Sequence, residues 1–449
     1  RVGAFQPFDN TFTVANSALI AGGSAKLSRT PSSDGNLDKW TFSTWFKLNL
    51  NVTAQTTLMA AGDGSSNQHR LFIQNTISGR VIQFDLYEGG YNARLITTRQ
   101  FRDTSQWYNI VAVWDSGNST AADRTKLFIN GVRETAFSTN DQPSQNKDGL
   151  FNDASYLQEI GNAGGLDNPE GDVYLAQTVL LDGTAVADAS SFGQVDTSTN
   201  RWVPKDVSGL TPGTNGFLLD YASTGTALGD DAIGSIDYAN SSGVQTTDSP
   251  TINVATLDPN SNTTSGGSTA LSNGNRTSTQ SSNGTTYVGG TLVPESGKFV
   301  WEVTVTNVVE QFCIGIKDIL GANPASSTLS DDAIMYQNDG TIKVDGTTAS
   351  SSPATYTDGD VIRVEWDVNV KIEWFKNNSS QGSYTLQKGS ITYEPFFVYN
   401  DNTAGFTVNF GSSSFAHTPT TGYSALTQDN LAGTDQFISA FSWIKNRDA

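Results

Sequence analysis

The sequence is almost devoid of cysteine and histidine. Its 449 residues include one cysteine, Cys313, so no intramolecular disulfide can form and the fold must rest on burial of its core. The two histidines, His69 and His417, do not lie near a cysteine or a glutamate at metal-ligand spacing, and no hydrolase triad is indicated. Cys313 itself lies within an apolar run and is predicted to be a small buried side chain.

Basic residues and long apolar runs are also scarce. Lys and Arg number 26 against 45 Asp and Glu, and the resulting net charge of −19 repels phosphate backbones and anionic membrane surfaces. No apolar run approaches the roughly 18 residues that a membrane-spanning helix needs. Neither nucleic-acid binding nor membrane insertion is therefore expected.

Glycine and short alternating runs are abundant instead. The 43 glycines and the 36% hydrophobic content favour short strands joined by turns. In residues 107–137, two alternating apolar runs flank a polar loop, and the second run turns back at Asn130-Gly131, which is typical of a type I′ hairpin. We predict three adjacent antiparallel strands here. Five apolar residues of this stretch are expected in the core: Trp107, Val111, Val113, Leu127 and Ile129.

The length of the chain and the spacing of its strand-like runs predict two β-sandwiches in tandem. We predict an all-β chain with an antiparallel, jelly-roll type sandwich over residues 1–200, an irregular extension and connector over residues 201–284, and a second such sandwich over residues 285–428. Residues 429–449 carry the pattern of a new strand and are interpreted as the start of a further segment. Because the chain begins with Arg1 and stops soon after that pattern, we expect it to be a piece of a longer protein.

The first predicted sandwich resembles laminin-G-like and concanavalin-A-like lectin domains. The matching segments are residues 40–45 (WTFSTW), 107–114 (WYNIVAVW) and 126–131 (KLFING), in the order and spacing of that family's core strands. The resemblance covers about residues 15–185. It implies a two-sheet sandwich from a group of domains that bind calcium or sugars.

The second predicted sandwich resembles a SPRY domain, a β-sandwich that serves partner recognition. Its motifs occur in order over about residues 285–425. They are residues 296–303 (SGKFVWEV), 314–316 (IGI), 358–362 (DGDVI), 372–377 (IEWFKN), 395–397 (PFF) and 410–420 (FGSSSFAHTPT).

The arrangement of the two modules is similar to large structural proteins of marine tailed bacteriophages. The segments that carry this resemblance are residues 29–33 (RTPSS), 202–205 (WVPK) and 441–448 (FSWIKNRD). It implies a virion appendage, fibre or particle-decoration protein on the virion surface. Its partners would be other virion proteins or further copies of the same chain in a homo-oligomer.

Candidate ligand-binding residues lie in loops of the first predicted sandwich. Asp63 and Asn67 belong to a glycine-rich turn, and His69 is predicted at the junction between this loop and the next strand. Tyr91 lies in the following loop. An aromatic ring can stack on the face of a sugar while Asn and Asp bind its hydroxyl groups, so these four residues predict a glycan site.

Calcium is the ion that the sequence favours, because oxygen ligands from Asp, Asn and backbone carbonyls suffice for it. The candidate ligands are Asp63, Asp167 and Asp172, each in a glycine-rich loop. No other cofactor is predicted.

Catalysis is not expected. A glycosidase on such a sandwich needs two carboxylates that face one groove. Glu365 and Glu373 alternate with aromatic residues and are the nearest approach to such a pair. We interpret them as solvent-face residues of two adjacent strands, with the neighbouring Trp366 and Trp374 in the core.

Three hypotheses about function follow. The first is a non-catalytic phage virion surface or fibre protein whose loops bind host-surface glycans or neighbouring subunits, with avidity from sites repeated on an oligomer. The second is a purely structural capsid decoration or scaffold protein without a host ligand. The third, which we favour least, is a polysaccharide-degrading enzyme.

Overall fold

The chain forms two compact units, Phe8–Thr251 and Ile252–Ala449. The computed structural model describes residues 12–49, 55–64, 66–76, 79–163, 171–197, 199–265, 268–308, 310–321, 333–386, 391–400, 403–431 and 437–438. Both units are built from antiparallel sheets, so the prediction of an all-β fold with two sandwiches is confirmed. Within these residues no helix has the length and apolar character needed to cross a membrane.

The first unit is a sandwich of two antiparallel sheets. Its strands are β1 (Ser17–Ile20), β2 (Lys26–Arg29), β3 (Lys39–Leu48), β4 (Gln55–Gly62), β5 (Asn67–Thr76), β6 (Gly79–Glu88), β7 (Tyr91–Thr97), β8 (Trp107–Asp115), β9 (Thr125–Ile129), β10 (Val132–Arg133), β11 (Phe137–Asp141), β12 (Leu157–Ile160), β13 (Val173–Asp182), β14 (Gly193–Asp196), β15 (Arg201–Pro204), β16 (Phe217–Leu219), β17 (Ala239–Ser241) and β18 (Val244–Thr246). Short 3-10 turns lie at Ala121–Asp123 and Gly225–Gly229.

The two sheets differ in their strand order. Sheet 1 has the order β10-β9-β8-β3-β13-β1-β18, with β16 beside β13. Sheet 2 has the order β11-β7-β6-β5-β4-β12-β2-β17, and β14 and β15 form a separate hairpin. Alternate side chains of each sheet point into the space between them. The core there is rich in aromatic residues, among which Trp40 and Trp114 stack with ring centroids 6.2 Å apart.

The predicted hairpin in residues 107–137 is confirmed. β8, β9 and β10 are adjacent and antiparallel, and Asn130 and Gly131 have φ angles of 46° and 80°, as a type I′ turn requires. Leu127 and Ile129 face the space between the sheets. Val111 and Val113 are buried on the opposite face of sheet 1, in a second apolar cluster. Trp107 belongs to a third, smaller cluster.

The segment predicted as a connector, residues 201–284, is not a connector in the structure. Its first part belongs to the first unit, because β16 pairs with β13, β17 with β2 and β18 with β1. Its last part supplies three strands of the second unit, which span residues 263–265, 268–272 and 277–282. The low apolar content of this stretch was misleading, because short edge strands need few apolar residues when a sheet is already in place.

The second unit is also a sandwich of two sheets. Its strands are β19 (Thr263–Ser265), β20 (Ser268–Ser272), β21 (Thr277–Ser282), β22 (Thr285–Gly289), β23 (Val293–Pro294), β24 (Lys298–Thr306), β25 (Gln311–Asp318), β26 (Ala333–Gln337), β27 (Thr341–Val344), β28 (Thr347–Ser350), β29 (Val361–Asp367), β30 (Lys371–Lys376), β31 (Ser379–Thr385), β32 (Tyr393–Asn400), β33 (Gly405–Asn409), β34 (Ser424–Ala425) and β35 (Phe437–Ile438), with one helix, α1 (Gln428–Leu431).

Sheet 3 of the second unit has the order β19-β22-β32-β25-β26-β27-β28, and sheet 4 the order β20-β21-β33-β24-β29-β30-β31 with β34 beside β24. Three tryptophans, Trp301, Trp366 and Trp374, are fully buried in its core. β35 pairs with β23 in a separate two-stranded sheet, so residues 437–438 of the strand pattern near the end of the chain belong to this unit. The remainder of that pattern lies outside the described residues.

Replacing Gly131 with alanine is expected to destabilise the first unit by about 2 to 4 kcal/mol. A Cβ atom on Gly131 would lie 2.5 Å from the Trp202 ring, and the φ of 80° disfavours any side chain. Urea unfolding measures the loss. Gly209→Ala is the matched control, because a Cβ there meets nothing within 4 Å. Equal stability of the two variants would contradict the expectation.

Candidate functional site

Two neighbouring hairpin loops lie at the same end of the strands of sheet 2. β5 and β6 pair in a register that places Asn67 opposite Glu88. The backbone N–H of Gly89 donates to the carbonyl of Ser66 at 3.0 Å, so the β4–β5 and β6–β7 loops touch. Together they form one continuous surface. We call five of its residues the rim cluster: Asp63, Asn67, Glu88, Tyr91 and Asn92.

The carboxylates of the rim cluster hold its two amides in a fixed orientation. Asn67 donates to Asp63 twice, from its backbone N–H to Oδ1 at 3.0 Å and from Nδ2 to Oδ2 at 2.6 Å. Asn92 Nδ2 donates to Glu88 Oε2 at 2.7 Å. Each amide gives one of its two side-chain N–H bonds to a carboxylate, so its oxygen is oriented to accept and its second N–H can still donate.

Tyr91 is the exposed aromatic residue of the rim cluster, with 47% of its surface accessible. The guanidinium of Arg94 lies over its ring, 4.2 Å from the centroid, in a cation–π contact. The ring of Tyr87 meets it edge to face at a centroid distance of 5.2 Å. These two contacts hold the ring in place while leaving about half of it open to solvent.

Carboxylates outnumber basic side chains around the rim cluster, where three acidic residues meet Lys147 and Arg94. Lys147 pairs with Glu88 at 2.6 Å and neutralises one carboxylate. Nearby, the pKa of Tyr156 is raised above its ordinary value, first by burial and then by the carboxylates of Asp153, Asp63 and Glu88. Lys147 pairs with Glu88 only, so the carboxylates of Asp63 and Asp153 are not neutralised by it.

His69, predicted at a loop-to-strand junction within reach of a ligand, is a core residue instead. Four rings surround it at centroid distances of 4.6 to 5.4 Å: Trp40, Phe84, Trp114 and Phe151. It is 0% exposed, and its Nδ1 accepts the Leu150 N–H at 3.2 Å. Burial, and secondarily the charge of Lys147, lowers its pKa to about 3. The expectation failed because β5 already begins at Asn67, and strand alternation then turns His69 inward.

Asp63 and Asp172, the two predicted calcium ligands that the structure describes, are not brought together. Asp63 is in the rim cluster, whereas Asp172 is buried elsewhere and accepts the Gly22 N–H at 2.9 Å and Asn49 Nδ2 at 2.8 Å. Asp167 lies outside the described residues. In the part of the chain that the structure describes, no group of three or more His, Cys, Asp or Glu side chains is arranged to hold a metal ion.

Glu365 and Glu373 lie opposite each other on β29 and β30, as expected from the sequence. The tryptophan that follows each of them is in the core. Glu365 itself does not face solvent: it is 1% exposed, accepts the Thr420 N–H at 2.8 Å and pairs with Arg363 at 3.2 Å. The loop that contains Ala416, His417 and Thr420 covers Glu365 and explains its burial. Alternation in the sequence of a strand cannot reveal such a covering loop.

Glu302 holds the same covering loop in the same way. It accepts the backbone N–H groups of Ala416 and His417 at 2.6 and 2.9 Å, and the Nδ1 of His417 lies 3.2 Å from it. The buried carboxylates on this face of sheet 4 therefore anchor a loop. Cys313 is fully buried in β25, as predicted, and burial raises the pKa of its thiol.

Sequence reasoning missed most partners of Tyr91. Glu88, Asn92 and Arg94 flank the Gly89-Gly90 turn, and pairing the two strands across this turn would have placed them beside Tyr91. Lys147 reaches the rim cluster from a long loop. No local signal in the sequence indicates that contact.

Comparisons with known proteins agree with the fold of the first unit. Residues 21–169 match a family model described as the concanavalin A-like lectin/glucanases superfamily, which is about a third of the chain and includes the whole rim cluster. No curated protein matches the chain.

Solved structures of β-sandwich proteins are similar over parts of the chain. The SPRY domain of human HERC1 is 17% identical, covering 34% of this chain and 96% of its own, with a TM-score of 0.30. A second human SPRY domain is 14% identical, covering 33% and 100%, with a TM-score of 0.27. The heptameric SAP-like pentraxin of Limulus polyphemus is 14% identical, covering 39% and 80%, with a TM-score of 0.29.

Proposed function

We propose that this chain, which contains a concanavalin A-like lectin/glucanase domain over residues 21–169, binds carbohydrate through the rim cluster. The observation that carries the proposal is the half-exposed ring of Tyr91, fixed by Arg94 and Tyr87 beside oriented amide oxygens. A sugar offers an apolar ring face to an aromatic side chain and hydroxyl groups to polar ones. A few fixed polar groups beside an aromatic surface are what such recognition requires.

Replacing Tyr91 with alanine is expected to weaken glycan binding about tenfold, the equivalent of one lost aromatic contact of roughly 1.4 kcal/mol. A glycan array read with wild type and variant measures this loss. Tyr91→Phe is the matched control and should bind as wild type does, because it keeps the ring. The free energy of unfolding of Tyr91→Ala should differ from that of wild type by about 0.5 kcal/mol or less, since the residue is exposed. Unchanged binding by Tyr91→Ala, or no binding by wild type, would refute the proposal.

Asp63 is the residue of the rim cluster that would bind a calcium ion, if glycan binding depends on one. The same array repeated in a chelator tests it: binding that falls in the chelator and returns with added Ca²⁺ supports a calcium-dependent site. Binding that is the same in both conditions rules out a role for the ion at the rim cluster.

We propose that the chain acts without catalysis. What supports this is that Glu365 and Glu302 are occupied with backbone N–H groups, so neither is free to serve as an acid or a base. A reducing-end assay on bacterial capsule or lipopolysaccharide tests the point. Turnover that Glu365→Gln abolishes would contradict it.

We propose further that the chain lies on the surface of a bacteriophage virion. There it would act as an appendage or fibre protein that binds host glycans or neighbouring virion subunits. The sequence resemblance of residues 29–33, 202–205 and 441–448 supports it. Several copies in a homo-oligomer would convert weak single sites into useful avidity. Mass spectrometry of purified virions of the bacteriophage that encodes the chain should detect its peptides. Their absence from the virions would contradict this placement.

A further inference from the structure

The rim cluster offers a ligand both hydrogen-bond acceptors and hydrogen-bond donors. Asn67 and Asn92 each donate one side-chain N–H to Asp63 and Glu88, and the amide and carboxylate oxygens accept. The second N–H of each amide and the Tyr91 hydroxyl group can donate. A hydroxyl group of a ligand can donate to these oxygens and accept from these donors, whereas a carboxylate or sulfate group can only accept.

The cations beside the rim cluster are already engaged. Lys147 is paired with Glu88 at 2.6 Å. The guanidinium of Arg94 covers the Tyr91 ring and reaches Gln83 Oε1 at 3.5 Å. An anionic group on a ligand would therefore share each cation with a partner that the protein already provides.

The carboxylates near the rim cluster repel an anionic ligand electrostatically. Asp63, Glu88 and Asp153 all act on the nearby Tyr156. The whole chain carries a net charge of −19, which opposes the approach of a polyanion further. An uncharged sugar meets neither obstacle, because its hydroxyl groups donate and its ring carries no charge.

We propose that the rim cluster selects uncharged glycans and rejects glycans that carry carboxylate, sulfate or phosphate groups. This inference rests on the proposed function, because it names the class of ligand for the same site. It assigns the selectivity to the orientation of Asn67 and Asn92 and to the pairing of Lys147 with Glu88.

Affinity electrophoresis in gels that contain matched polysaccharides tests this selectivity. The probes are hydroxyethyl cellulose against carboxymethyl cellulose, and dextran against dextran sulfate, with wild type and Tyr91→Ala run side by side. Retardation of wild type by an uncharged member alone, lost in Tyr91→Ala, is the expected result. Retardation by an anionic member that Tyr91→Ala abolishes would overturn the selectivity and leave the proposed function standing. No retardation by any probe would overturn both.

Glu88→Gln then tests the origin of the selectivity. Removing this carboxylate frees the Lys147 ammonium, so the affinity for the anionic member should rise about fivefold at low salt and its retardation of the variant should become detectable, for a charge effect of about 1 kcal/mol. The gain should fade at high salt because of screening. Asp206→Asn makes the same charge change at an exposed position outside the rim cluster and should leave retardation unchanged. An equal gain in both variants would show that net charge alone acts, and would overturn the assignment to the rim cluster.

Discussion

Lowering the pH from 6.5 to 4.5 is expected to destabilise the first unit by about 2 kcal/mol through His69 alone. Burial holds the pKa of His69 at about 3 in the folded chain, against an ordinary value of 6.5. Between pH 6.5 and 3, His69 is therefore protonated in the unfolded chain and neutral in the folded chain. The stabilisation is fully present above pH 6.5 and is lost, at about 1.4 kcal/mol per pH unit, as the pH falls toward 3.

NMR of the two histidine side chains checks this prediction directly. The His69 resonance, identified by its absence in His69→Gln, should show no titration between pH 7 and 4.5. In urea unfolding, His69→Gln should lose the dependence on pH that wild type shows between 6.5 and 5, whatever its stability at pH 7. A His69 resonance that titrates near pH 6.5 would contradict the aromatic enclosure described above.

Replacing Glu394 with glutamine is expected to stabilise the second unit at pH 8 by about 3 kcal/mol and to leave it nearly unchanged at pH 4. Glu394 is 7% exposed on β32, and its Oε2 would lie 2.8 Å from a Cβ on Gly289. Burial raises its pKa to about 7 against the opposing effect of Lys317, with Asp258 and Asp318 adding to the rise.

The sign of this effect is opposite to that of His69. A carboxyl whose folded pKa lies above its unfolded value contributes stability below pH 4.5 that is lost as the pH rises through 7. Glutamine cannot ionise, so it keeps the neutral state at every pH. Urea unfolding at pH 4 and pH 8 measures the difference, with Glu310→Gln, an exposed position, as the matched control. A gain of equal size at both pH values would mean that packing, and not ionisation, is responsible.

Much of the fold could be predicted from local patterns. The Asn130-Gly131 turn and the alternation of β8 and β9 are local properties, because turn geometry and strand period depend on adjacent residues. The extent of each unit could not be predicted in this way. Residues 201–251 read as a connector, and only pairing with distant strands such as β13 makes them part of the first unit.

The candidate site shows the same division. Tyr91, Asp63 and Asn67 could be predicted because loop aromatics and loop amides stand out in the sequence. Burial of His69 could not, because it depends on rings that come together from three separate regions of the chain.

The sequence by itself determined that this protein is an all-β chain, with a sharp hairpin at Asn130-Gly131, a negative net charge and no capacity for an intramolecular disulfide. These properties follow from composition and from the spacing of neighbouring residues. Only the tertiary structure decided that the rim cluster exposes acceptors beside Tyr91, that His69 is enclosed and that Glu365 anchors a loop. The physical reason is that burial, charge pairing and hydrogen-bond direction are set by residues far apart in the chain, which no local pattern specifies.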